Sequence, residues 1–161
     1  MKTNADAAAT AATKAVSDLN LANLRVKQIT NNIPPKDLAK YRTLKTTERA
    51  AQTAADKALA AEQKFLKAHP TYQQPSGPGE PLKANAAAKA DPAYKTLLKD
   101  VKATQKNLKT AQTAVRGLIT TKKGAVKKAF RELDTYETAQ RDAQKTFKKT
   151  QAEAHATKKA Y

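Results

Sequence analysis

The chain has 161 residues, no cysteine and a formal net charge of +17, which excludes disulfides and Cys-based metal sites and makes polyanions its natural partners. Of its 64 apolar residues 34 are Ala, and Leu, Ile, Val and Phe together number 24, about 15% of the chain against the roughly 20% that separates globular chains from disordered ones. A thick core is therefore excluded, and so is a membrane span, because no stretch approaches the roughly 18 apolar residues one needs. The N-terminal MKTNADAAATAATK also lacks the apolar run of a signal peptide.

Ala, Lys and Gln are strong helix formers, and the chain reads as all-α: two extended helical hairpins with Ala-rich heptad seams, joined by a Pro/Gly linker. In the first helix Ala8, Ala12, Ala15, Leu19, Ala22, Val26, Ile29 and Ile33 alternate four and three residues apart, the spacing of a heptad seam. Asn31, Asn32, Ile33, Pro34 and Pro35 end it, since a residue before proline avoids the helical region and proline suits a helix's first turn. A second seam follows through Leu44, Thr47, Ala51, Ala54, Ala58, Ala61 and Phe65, with Leu38 and Tyr41 in the opening turns and His69-Pro70 at its end. Residues 1–69 thus form the expected first hairpin, with its turn near 31–35.

Residues 69–81, HPTYQQPSGPGEP, hold four of the seven prolines and two of the four glycines, a composition that breaks regular structure. Residues 70–91 are accordingly expected to be a linker, or a loop that orders on a partner. The sequence LKANAAAKA allows a turn or two of helix before Asp91 and Pro92, a cap followed by a favoured first-turn residue. Beyond it, Tyr94, Val101, Leu108 and Val115 occupy one seam position and Leu97, Thr104, Ala111 and Leu118 the other. The register then slips by four, to Val126, Leu133, Gln140 and Phe147 with Ala129, Tyr136, Ala143 and Thr150. Such a slip fits either a stutter in one long helix or a turn; Gly124, with Gly117, Thr120 and Thr121 nearby, favours a turn near 120–124 and makes residues 92–161 the second, more basic hairpin.

The segment YKTLLKDVKATQKNLKTAQTAVRGLITTKK, from position 94, sets eight basic residues beside one acid. Relative to the seam, Lys95, Lys102, Lys109, Arg116 and Lys123 share one heptad position and Lys99 and Lys106 an adjacent one, on the face opposite the apolar residues. A charge run usually does no more than solvate a helix. Here the excess is concentrated: residues 92–124 carry eight basic groups and one acid, whereas residues 1–33 carry four and two. Lys95, Lys99, Lys102, Lys106, Lys109, Arg116, Lys122, Lys123, Lys127 and Lys128 are the candidate nucleic-acid-binding residues. Lys supplies 25 of the 31 basic residues, and Lys meets phosphate as a point charge, whereas base reading leans on bidentate Arg. Sequence-independent contact with a duplex backbone is the expectation, since the aromatic residues fall on seams and leave few rings for stacking on single strands.

Other chemistry is sparse. His69 and His155 lie far apart, with no carboxylate cluster at ligand spacing beside either, so neither a metal site nor general acid-base chemistry is expected. No phosphate loop or nucleophile elbow occurs, and the expectation is a non-enzyme without cofactors or a small-molecule substrate. The Lys-Ala runs HATKKAY and GAVKKAF resemble those of linker-histone tails. As an all-helical, strongly basic chain the protein also resembles the major coat proteins of filamentous archaeal viruses. That resemblance implies helical subunits wrapping duplex DNA in a virion, as homo- or hetero-oligomers in a filament or shell. Two alternatives remain open: a nucleoid-compacting protein of the cytoplasm, and an amphipathic coiled-coil module for an anionic membrane or an acidic protein. The membrane version is disfavoured by the alanine that fills the apolar face in place of Trp, Phe and Leu.

Overall fold

The computed structural model describes residues 2–160. It is all-α: α1 Lys2–Thr30, α2 Pro35–Ala68, α3 Ala86–Ala90, α4 Pro92–Thr120 and α5 Gly124–Lys159, with a single 3-10 turn at Pro70–Tyr72. The breaks at 31–34 and 121–123 and the loop at 69–85 fall where proline, glycine and the register slip place them. At the second break Gly124 takes a φ of +58°, which a side chain would disfavour, and Lys123 is extended at φ −127° and ψ 158°. The slip of four is thus a break between two helices.

The helices pair α1 with α5 and α2 with α4, so the chain divides into two compact units, one of Met1–Leu38 with Ile119–Tyr161 and one of Ala39–Leu118. Grouping sequence neighbours, as the boundaries 1–69 and 92–161 do, puts α1 with α2 and α4 with α5, which is not the packing. The register of the first unit follows from two contacts. In the first unit Asn23 accepts a hydrogen bond from Gln140 at 2.7 Å and Arg25 lies over the Tyr136 ring, 5.9 Å from its centroid. This antiparallel register sets Ala15 level with about residue 147, a Phe, and Leu19 level with about residue 143, an Ala, so that large meets small. Val26, Ile29 and Ile33 are buried, as are Ala129, Phe130 and Leu133.

The second unit is tied across α2 and α4 by Tyr94, whose hydroxyl donates to Glu62 at 2.7 Å. Val101, Ala111, Val115 and Leu118 are buried on α4, and Tyr41, Ala55, Ala58 and Leu66 on α2. The seams expected for α1, α4 and α5 all face inward. That of α2 is half corrected: Leu44, Ala51, Ala58 and Phe65 turn inward, but Thr47, Ala54 and Ala61 are exposed and the second column is Glu48, Ala55 and Glu62. Two carboxylates can occupy the seam because each has a partner there, Tyr94 for Glu62 and Lys45, 3.1 Å away, for Glu48.

Residues 70–91 form the Pro/Gly linker, with the short helix α3 inside it, and side chains hold its backbone in place. Gln63 clamps the Leu82 backbone from both sides, donating to its carbonyl at 3.0 Å and accepting from its N–H at 2.9 Å. Gln73 donates to the Leu66 carbonyl at 2.6 Å, and Gln74 to that of Ala84 at 2.8 Å. Asn85 donates to the Thr71 carbonyl and caps α3 by accepting from the Ala88 N–H. These amide side chains satisfy backbone groups that a proline-rich loop cannot pair with itself. Leu66, Ala84, Ala88 and Tyr94 pack beneath them with Phe65, Tyr72, Leu82 and Leu98.

Candidate nucleic-acid interface

Helix α4 starts on Asp91, whose carboxylate accepts from the Ala93 N–H at 2.8 Å and from the Tyr72 hydroxyl at 2.9 Å. The Tyr72 hydrogen bond, with the backbone N–H, holds this carboxyl below its ordinary value. Tyr94 then fixes the rotation of the helix: its ring is buried, and burial together with the Glu62 hydrogen bond pushes its hydroxyl up to about 12. With Tyr94 inward, its neighbour Lys95 points out. At about 100° per residue, Lys95, Lys99, Lys102, Lys106, Lys109 and Arg116 fall within an arc of roughly 100° on the side away from the seam.

All six are exposed. None makes an ion pair among the described residues. The helix's only acid, Asp100, lies roughly 140° round from Lys95, outside the arc. A continuous row of unneutralised cations, about 32 Å long at 1.5 Å per residue, is an arrangement for meeting a regularly charged polyanion.

The remaining candidates stand elsewhere. Lys123 sits in the break before α5 and not on α4, so the expected stripe of seven contains six, and its length falls from about 42 Å to about 32 Å. Lys122 is paired with Asp37 at 2.8 Å. Lys127 is half-buried, and Lys128 lies 3.8 Å from Glu132. These four belong to the unit containing α1 and α5.

A second basic face, absent from the residues that spacing singles out, lies on α2. On α2, Arg42, Lys57, Lys64 and Lys67 are exposed and fall within an arc of roughly 80° opposite that helix's seam. The signal was present in the excess of eight basic over four acidic groups in residues 34–69, but only the corrected seam shows that Glu48 and Glu62 are not among the outward groups.

The His69 ring stacks on Phe65 at 4.2 Å and on Tyr72 at 5.3 Å, with Nδ1 2.7 Å from the Phe65 carbonyl oxygen, which makes it a packing element of the loop. Among the described residues no group of three or more His, Asp or Glu is placed to hold a metal ion. Among the described residues no helix is long and apolar enough to cross a membrane. Comparison with protein-family models, curated proteins and solved structures finds no match to this chain.

Proposed function

We propose that the protein is a structural nucleic-acid-binding protein that coats or compacts duplex DNA through the phosphate backbone, without reading sequence. The observation that carries this is the outward face of α4: six exposed cations in one arc, with no acid among them and no ion pair to neutralise them. Duplex DNA carries one charge per roughly 1.7 Å of axis, so a row about 32 Å long has phosphates to meet along its whole length. Five of the six residues are Lys, which supports backbone contact over base recognition. The setting proposed is a virion, as the compositional resemblance to filamentous coat proteins implies, with copies of the chain assembled along the nucleic acid.

The test is a titration of labelled duplex at low salt with two variants of equal net charge. One carries Lys99→Gln, Lys102→Gln, Lys106→Gln and Lys109→Gln. The other carries Lys145→Gln, Lys148→Gln, Lys158→Gln and Lys159→Gln, four exposed positions on α5. The α4 variant is expected to bind more weakly than the α5 variant. Equal weakening would reduce the effect to net charge and sink the assignment of the site.

A further inference from the structure

The unit formed by residues 39–118 is a pair of helices packed seam to seam, so the outward faces of α2 and α4 look in opposite directions. Both are basic. Lys95, Lys99, Lys102, Lys106, Lys109 and Arg116 line one, and Arg42, Lys57, Lys64 and Lys67 line the other, all exposed. The Tyr94–Glu62 hydrogen bond sets the antiparallel register, which puts Lys57 level with about residue 99 and Arg42 level with about residue 114. The two rows are therefore back to back along the same length, separated by roughly 20 Å, the sum of an interaxial distance of about 8–10 Å and the side-chain shells outside it.

The acids of the unit sharpen this. Glu48 sits beside Lys45, Glu62 accepts from Tyr94, Asp91 accepts from Tyr72 and the Ala93 N–H, and Glu80 accepts from the Gly77 N–H. Only Asp56 and Asp100 remain, and Asp56 accepts from Gln52 at 2.9 Å. Four of the six carboxylates are thus held in seam or loop, the α4 face carries no acid, and the α2 face keeps one, the exposed Asp56, about 20° outside the arc of its four cations. A one-sided DNA-coating helix pair has no need of a second such face, and mutual repulsion makes one costly unless a polyanion screens it.

We infer that this helix pair binds two duplex segments at once, one on α4 and one on α2, and so bridges them. The inference rests on the proposed duplex binding and adds to it a stoichiometry and a mode of compaction. The test is a bridging assay at about 50 mM salt, where phosphate contacts are strong. One duplex is immobilised on beads, a second, fluorescent duplex is free in solution, and the full-length protein is added. Wild type is expected to retain the fluorescent duplex. The α4 variant above, and a variant with Arg42→Gln, Lys57→Gln, Lys64→Gln and Lys67→Gln, should each still bind a single duplex. Each should lose co-capture by more than about tenfold, since four phosphate contacts are gone from one face. The α5 variant should bridge as wild type does.

A second measurement needs no substitution. With excess duplex of about 20 base pairs, at about 3.4 Å per pair long enough to cover one face, sedimentation should show two duplexes per chain. One duplex per chain would overturn the inference, as would an α2-face variant that bridges undiminished. Failure of wild type to bind any duplex would instead overturn the reading beneath it.

Discussion

Removing four lysines from α4 should change the salt dependence of duplex binding by an amount that reports how many faces are in use. Each phosphate contact contributes about −0.9 to the slope of log affinity against log salt. Six contacts on α4 therefore give a slope near −5.4, and affinity should fall by about three orders of magnitude between about 50 and 200 mM salt. Lys99→Gln, Lys102→Gln, Lys106→Gln and Lys109→Gln leaves Lys95 and Arg116 on that face, enough for a slope of about −1.8 if α4 is the only surface. If the α2 face binds as well, its four cations take over and the slope stops at about −3.6, a loss of roughly 150-fold over the same salt range. The assay is fluorescence anisotropy of a labelled duplex at four or more salt concentrations, with helicity monitored by circular dichroism. Gln keeps helix propensity close to that of Lys, so the fold should not change. The α5 variant should keep the wild-type slope. A wild-type slope shallower than about −2, or identical slopes for the α4 and α5 variants, would refute the reasoning.

The loop and the seams give the remaining predictions. Gln63→Ala strips both partners from the Leu82 backbone and should cost about 1–3 kcal/mol, the range for groups left unsatisfied; hydrogen exchange should show the Leu82 amide losing protection. Leu66, with no exposed surface, should cost about 2–5 kcal/mol when replaced by Ala, read from denaturant unfolding. Tyr94 has a folded-state pKa raised from 10.0 to about 12. Its contribution to stability is thus complete below pH 10 and lost as pH rises from there to about 12. Phenolate absorbance should show this late step, and Tyr94→Phe should remove it. Asp91 is shifted the other way, below 3.8, so its contribution is present above that value and lost as pH falls through the depressed one. Acid unfolding of Tyr72→Phe should accordingly be less steep than that of wild type.

The helices were legible from spacing because three of the four long seams carry Leu, Val, Ile, Phe or Tyr at intervals that admit one register. The seam of α2 was legible only in part. In its Ala-rich middle, Ala54 and Ala55 are adjacent, as are Ala60 and Ala61, and neither member of such a pair looks more apolar than the other. The column that wins includes Glu48 and Glu62, which a rule of apolar residues inside would reject, and it wins because Lys45 and Tyr94 supply their partners. Pairing was not legible from the seams one at a time, since it depends on which large residues meet which small ones across two helices. The linker at 70–91 was legible as a linker, but the order within it was not, for a similar reason. Proline and glycine report what the backbone cannot do for itself, while Gln63, Gln73, Gln74 and Asn85 do it from their side chains.

The same logic governs the candidate interface. Composition fixes the net charge, but the field that a partner meets depends on where the opposite charges are spent. A sequence count assigns residues 34–69 four acids against eight bases, which reads as a mixed, solvated surface of little consequence. Folding turns two of those acids into the seam and leaves the outside of α2 more basic than its composition suggests. On α4 the count and the surface agree, because its single acid lies off the stripe. The first face could therefore be read from sequence, whereas the second emerges only when the register of α2 is known. A single substitution tests that register: Glu62→Gln keeps an acceptor for Tyr94 while removing the charge. It should lower the Tyr94 pKa from about 12 part of the way toward its ordinary value: the burial that contributes most to the shift remains, but the hydroxyl no longer faces a carboxylate. A Glu62 exposed to solvent would leave the Tyr94 titration unchanged, and the α2 face would lose its basis.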